Sequence, residues 1–144
     1  MIESLSAGGI VFKQTKSGAK WLICQNSAFK CWIFPKGQVG DKNIDESLID
    51  AAVREVMEEG GVKARVVGVI TPPIEYFFTS DGTRIHKTVH YFLMEYESGD
   101  PKLHDKEISE AKFVDFEVAM KTLTFDNDRM VFGSALKQLN QSKK

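Results

Sequence analysis

Glu55, Glu58 and Glu59 are the residues of this chain whose type and spacing best suit them to chemistry. Positions three and four apart are neighbours on a helix, so a helical segment puts these carboxylates on one arc of about 100°. Like charges so placed repel, and a solvated helix face would intersperse lysines among them. The arrangement makes sense where a divalent cation neutralises the cluster, and hard carboxylate oxygens suit Mg2+ or Mn2+. From spacing alone, an acidic solvent face is the plain alternative. Around the same helix Ile49, Ala52, Val53, Val56 and Met57 fall on one apolar side, with Leu48 at its margin. Glu59 then projects beside Leu48 and Ala52, at the edge of that side. Arg54 and Glu46 are too far apart in sequence to be helical neighbours, so Glu46 lies at or before the first turn and folds back. A guanidinium pairs best with a carboxylate through two parallel hydrogen bonds. Gly60-Gly61 marks the end of the helix, which is expected from about Glu46 to Gly60.

These residues belong to one unbroken pattern, Gly40-x5-Glu46-x7-Arg54-Glu55-Val56-x-Glu58-Glu59-x-Gly61-Val62. A pattern this long is far more specific than a lone glycine motif. It resembles the box of the Nudix hydrolases, which cleave a diphosphate linkage attached to a nucleoside or similar group. The resemblance covers nearly the whole chain and implies an α/β fold, the Nudix α/β/α sandwich with a mixed central sheet. It implies that Glu55 and Glu59 are direct metal ligands, that Glu58 is a ligand or the base, and that Arg54 with Glu46 orients the loop-to-helix junction. The pattern departs from the family in one place. Phe34-Pro35-Lys36-Gly37 supplies the usual Pro-Lys-Gly element, yet Gly37 stands nine residues before Glu46 and Gly40 alone meets the box spacing. A three-residue insertion in the loop Gln38–Asp45 accounts for this. Gly37, which follows the rigid Pro35-Lys36, is then favoured over Gly40 for the backbone carbonyl that family members offer to the metal.

The resemblance extends, more softly, to substrate. Phe34-Pro35-Lys36-Gly37, the run Lys87–Leu93 and Leu123-Thr124-Phe125 look like the diadenosine tetra- to hexaphosphate hydrolases. In that branch aromatic rings stack on adenine, a role matched by Tyr76, Tyr91 and Phe125. Basic side chains hold the remote phosphates, a role matched by Lys36, Lys87 and His90. Glu107 resembles a glutamate that joins the site from before the final strand, with Glu110 as a second candidate. Each has a plainer reading. Tyr91 and Phe92 point to opposite sheet faces, so one of them belongs to the core. Phe125 can pack a helix junction, His90 can be an ordinary strand histidine, and Glu107 a solvated loop charge. Other Nudix substrates compete: oxidised nucleoside triphosphates, capped RNA ends and diphosphoinositol polyphosphates. A non-catalytic nucleotide-binding module is the alternative of a different class, but it would be expected to have lost box glutamates, and all are present.

The rest of the chain must position these groups. At 144 residues it fits a single domain spanning 1–144 with a real core. A net charge of -1 gives no case for duplex nucleic acid or an anionic membrane. No apolar run suits a membrane span and no secretory leader is evident, so the chain reads as a cytoplasmic monomer or homodimer acting on a small nucleotide. Cys24 and Cys31 match no zinc spacing and read as buried free thiols. Strands are expected at Ser6–Lys13 and Trp21–Gln25, joined by the turn Gln14–Lys20, and at Trp32–Phe34, Val62–Val69 and Ala111–Phe116. Thr71-Pro72-Pro73 is expected to end one strand, and Ile74–Thr79 and Lys87–Glu97 to flank a hairpin turn at Ser80-Asp81-Gly82-Thr83. Helices follow near Phe116–Leu123 and Asp128–Leu139.

Overall fold

Alternating residues along the long strands are apolar on both sides, which calls for a sheet covered on both faces. A computed structural model describes residues 1–40 and 44–142. In β1 (Ile2–Thr15) Ile10 and Phe12 enter one core while Ala7 and Val11 enter the other. In β6 (Thr83–Gly99) Val89, Tyr91 and Leu93 alternate with Phe92 and Met94 in the same way. Tyr91 and Phe92 are therefore both core residues, one on each face, where the sequence placed only one inside.

The sheet runs β3-β2-β1-β6-β5, with β4 also pairing β1 and β7 also pairing β2. The elements are β2 (Gly18–Asn26), β3 (Trp32–Ile33), β4 (Lys36–Gln38), β5 (Val62–Ser80) and β7 (Ile108–Val114). β1 and β6 are parallel and the other pairs antiparallel, so the sheet is mixed. β1 and β2 pair only as far as Phe12 and Trp21 and then splay apart. The β3–β4 segment fills the opening: Cys24 pairs with Ile33, Gly8 with Lys36, and Gly9 N–H donates to Pro35 O at 3.1 Å. This splay brings Lys36 and Gly37 into the middle of the molecule. Cys24 is buried at the same place, while Cys31 is only half-buried at the β2–β3 turn.

Helix α1 (Leu48–Gly60) covers the face that holds Ala51, Ala52 and Val56. Helices α2 (Phe116–Thr122) and α3 (Asp126–Ser142) cover the other with Ala119, Val131, Phe132, Ala135 and Leu139. The result is an α/β/α sandwich.

Several boundaries differ from the sequence reading. Thr71-Pro72-Pro73 does not end a strand. β5 passes through it with a shift of register between Ile70 and Ile74. β5 lies at one end of the sheet order, where proline's missing N–H is tolerated. The β5–β6 hairpin turns at Asp81 and Gly82, both with positive φ, as the twist of a two-residue hairpin loop requires. β7 starts three residues before Ala111 and α3 two before Asp128. The middle of the loop Gln38–Asp45, residues 41–43, falls outside the described residues. No described helix is long and apolar enough to cross a membrane.

Candidate active site

Helix α1 is capped by its own sequence. Ser47 accepts the Asp50 N–H at 3.1 Å, and Gly61 turns left-handed at φ 73 so that its N–H returns to Met57 O. Its inward stripe is not the one expected. Ile49 and Met57 are 46% and 48% exposed, whereas Ala52, Glu55, Val56 and Glu59 are buried. Those four follow the i, i+3, i+4, i+7 spacing of a buried helix face, so two of its positions are carboxylates. The helix turns this way because Glu55 and Glu59 face the backbone of β4. Lys36 N–H donates to Glu59 Oε1 at 3.2 Å.

Arg54 holds the acidic end of the helix together. Its Nε and Nη2 donate to the two oxygens of Glu46 at 2.7 and 2.9 Å, a two-point contact across the helix start. Nη1 donates to Glu55 Oε2 at 3.3 Å and to both oxygens of Glu58 at 3.2 Å. Nη2 also reaches Gln38 O at 3.2 Å, and Gly40 N–H donates to Glu46 Oε1 at 3.2 Å. The Arg54 hydrogen bond holds the Glu46 carboxyl below its usual range. Glu59 has no guanidinium. Burial first, then the charges of Glu55 and Asp105, push its carboxyl up to about 8. The protein's own cations thus leave Glu59 undercompensated, and a hard divalent cation fits that donor set. Among the described residues no three His, Cys, Asp or Glu side chains converge as a ready ion site. Arg54 draws Glu55 and Glu58 toward itself instead.

Gly37 occupies a position that only glycine fits. A Cβ built there would stand 1.6 Å from Glu55 Oε2 and 2.2 Å from Glu55 Cδ. Glu55 is 6% exposed and cannot swing freely away. Gly37→Ala is therefore expected to displace the Glu55 carboxylate while the fold survives. Turnover should fall by about 10²-fold, the size associated with a 1 Å misplacement at a reacting centre, with an unchanged circular dichroism spectrum. Wild-type turnover would show that the Glu55 position is unimportant.

On the opposite sheet face a pocket of about 350 Å³ is lined by Lys36, Ile74, Tyr76, Val89, Tyr91, Phe125, Asn127 and Asp128. Tyr76 and Lys87 stand opposite each other across β5 and β6, as do Ile74 and Val89, so all four share this face. Lys87 is half-buried, and burial with the like charge of Lys36 lowers its ammonium pKa. Phe125 is half exposed at the pocket mouth. Tyr91 also lines the pocket but is 1% exposed, with its ring faces covered and its hydroxyl buried. His90 alternates with Val89 and Tyr91 and so stands on the face away from the pocket.

Glu107 is exposed just ahead of β7, and its carbonyl accepts Ser27 N–H at 2.9 Å. Glu110 is exposed and paired with Lys112 at 3.2 Å. The carboxylate from outside α1 whose charge reaches Glu59 is that of Asp105, whose N–H donates to Glu58 O at 2.8 Å. Sequence reasoning passed over Asp105 and also Asp128, a 6% exposed carboxyl in the pocket. Asp128 follows Asp126-Asn127 at a helix start, where acidic residues are ordinary, so nothing in the sequence set it apart.

Comparison with known proteins agrees with this geometry. The chain is 34% identical over 98 residues to MutT4 of Mycobacterium tuberculosis (strain CDC 1551 / Oshkosh). That match takes in 68% of this chain and 38% of that protein, so the chain spans well under half the relative's length. A NUDIX hydrolase from Nitrosomonas europaea has the same fold, with a TM-score of 0.73 at 17% identity, over 94% of this chain and 90% of the other. The Ap4A hydrolase of C. elegans in a binary complex is similar with a TM-score of 0.70 at 20% identity, over 96% and 98%. The model of the NUDIX domain matches residues 4–132, a span that contains Lys36, Gly37, the whole of α1 and the pocket, and on that ground the chain belongs to the Nudix hydrolase family.

Proposed function

We propose that this protein hydrolyses a phosphoanhydride bond in a nucleoside polyphosphate with the help of Mg2+, and that its substrate is a diadenosine polyphosphate of four to six phosphates. One observation carries the reading. Lys36 lines the aromatic pocket, while its backbone N–H is bonded to Glu59 of the acidic cluster. A nucleotide whose base entered the pocket would run its phosphates past Lys36 and Lys87 toward Glu55, Glu58 and Glu59. The cluster, with the carbonyl of Gly37, is the set of donors that would hold the cation. A bound divalent ion supplies charge screening for the phosphates and acidifies a water. In the hydrolysis, water oxygen bonds to phosphorus as the bridging P–O bond breaks, and the water proton passes to a carboxylate of the cluster. Two phosphate-terminated products leave.

A second reading has its own support. The kinship with a protein whose name calls it a mutator protein favours a nucleoside triphosphate as substrate. Hydrolysis with Mg2+ across diadenosine tetra-, penta- and hexaphosphate, 8-oxo-dGTP, ADP-ribose and a diphosphoinositol phosphate separates the two. Preference for the diadenosine compounds, with ATP or ADP among the products, is the expected result. Preference for 8-oxo-dGTP would transfer the site to the second reading. Tyr76→Ala and Phe125→Ala should each raise KM for the preferred nucleotide by about 5- to 100-fold, since base–aromatic stacking is worth ~1–3 kcal/mol. An unchanged KM would return that ring to a packing role.

A further inference from the structure

Cleavage of a polyphosphate leaves two polar groups at the pocket unexplained. Asp128, in the first turn of α3, is 6% exposed and faces the pocket. Tyr91 is 1% exposed, its ring edge-on against Phe34 at 6.0 Å between centroids, and its hydroxyl is buried without a hydrogen-bond partner. The Asp128 carboxyl stands beside that hydroxyl, and burial together with its charge raises the phenol pKa, yet the contact does not complete a hydrogen bond. A buried hydroxyl left unpaired is costly and uncommon, and a ligand that supplies the partner accounts for it.

The pocket also has a polarity. Lys36 and the buried Asp128 carboxyl both line it, so phosphate is drawn to the first and repelled by the second. What meets Asp128 is therefore the far end of a nucleotide, its base. A carboxylate only accepts hydrogen bonds, whereas a phenol can donate one. Side by side they complement an edge that carries an N–H donor beside an acceptor nitrogen, and adenine presents such an edge through its exocyclic amine and the ring nitrogen next to it.

We propose that Asp128 and Tyr91 select a 6-aminopurine, with Asp128 accepting from the exocyclic amine and Tyr91 Oη donating to the adjoining ring nitrogen. The assignment rests on the reading that a nucleotide base enters this pocket, but it does not depend on how many phosphates follow.

Binding of AMP and of purine riboside 5′-monophosphate, which has the same ring without the amine, tests it by calorimetric titration of the full chain with Mg2+. AMP is expected to bind about 10- to 100-fold more tightly, the margin of a site built to hydrogen-bond a group that the analogue lacks. Tyr91→Phe keeps the shape and removes only the hydroxyl. Asp128→Leu removes the acceptor at similar volume. With folding checked by circular dichroism, Asp128→Leu should shrink the margin to within about threefold, whereas Tyr91→Phe, whose ring-nitrogen partner both nucleotides carry, should weaken both by about 5- to 10-fold and keep the margin. Equal binding of the two nucleotides to the wild type, a margin intact in Asp128→Leu, or undiminished binding of both nucleotides to Tyr91→Phe would overturn the pair. Inosine 5′-monophosphate binding as tightly as AMP would overturn the amine assignment. A clear AMP margin in a protein that does not hydrolyse diadenosine compounds would leave the base assignment standing and discard the dinucleotide substrate.

Discussion

Glu59→Gln is expected to abolish turnover and, in the presence of a chelator, to make the protein more stable. The loss of activity should be about 10²- to 10⁴-fold, because the variant removes a carboxylate from the cluster proposed to bind the cation and take the water proton. The gain in stability has a separate cause. Glu59 is 9% exposed, faces the charges of Glu55 and Asp105, and has its carboxyl pushed up to about 8 from an ordinary 4.5. Between those values the folded protein keeps a proton that the unfolded chain has released, so the fold loses stability as pH rises through that window. Glutamine is neutral at every pH and retains an oxygen for the Lys36 N–H. Its advantage should be on the order of 1–3 kcal/mol near pH 8 and should fade as the pH falls toward about 5. Thermal melts with EDTA at the two pH values measure it. Mg2+ should raise the melting temperature of the wild type and leave the variant nearly unmoved, because the ion binds the native state only where its ligands are present. Near-normal turnover would remove Glu59 from the site. A variant less stable than the wild type at both pH values would show that Glu59 is a structural partner rather than a strained functional group.

The burial of Glu55 and Glu59 where apolar residues are expected explains what could be read from the sequence and what could not. Glu55, Glu58 and Glu59 stood out because their spacing has chemical meaning without a structure. The rotation of α1 did not, since Ile49 and Met57 are apolar and suggest a core side that in fact faces solvent. The real inward stripe includes glutamates, so a hydrophobicity pattern points away from it wherever function overrides packing. Most strands were legible in order of appearance, but β4 was not expected, β5 was read as two strands, and the strand ends were not legible. Pro72 and Pro73 look like a break, and only the position of β5 at the end of the sheet order makes them harmless. The pocket was half visible. Tyr76, Phe125 and Lys36 could be named because they follow a known pattern. Asp128 was hidden because an aspartate at a helix start has a sufficient local explanation, and its burial depends on α3 packing across β5 and β6. Tyr91 was visible as an aromatic, but the part proposed to read the base is its hydroxyl, since the ring is shut in against Phe34.

Arg54→Met is expected to have the largest effect on the fold. Arg54 makes the two-point contact with Glu46, bonds Glu55 and Glu58, and reaches the carbonyl of Gln38. Its side chain is 17% exposed and that of Glu46 only 7%, so solvent cannot replace what the guanidinium supplies. Exposed ion pairs are worth about 0–1 kcal/mol, but removing one member of a buried pair costs about 3–5 kcal/mol because the other is left uncompensated. The pair is partly buried and three carboxylates lose one cation, so the cost should fall between those ranges, at about 1–3 kcal/mol. Arg54→Lys should recover only part of the loss, because an ammonium cannot span both oxygens of Glu46 and still reach Glu58. The double variant Arg54→Met with Glu46→Gln should be more stable than Arg54→Met alone, by about 0.5–3 kcal/mol of coupling, since it removes one stranded charge. The pH dependence has a definite sign. Glu46 is held below its ordinary value of 4.5 by Arg54, so the pair stabilises the protein above that pH and is lost as the pH falls through the lowered value. Urea unfolding of Arg54→Met should therefore show a shallower acid limb than the wild type. A loss under about 1 kcal/mol would place Arg54 among surface pairs. Additive costs in the double variant would show that Arg54 and Glu46 stabilise the loop independently, and the loop-to-helix junction would then need another organiser.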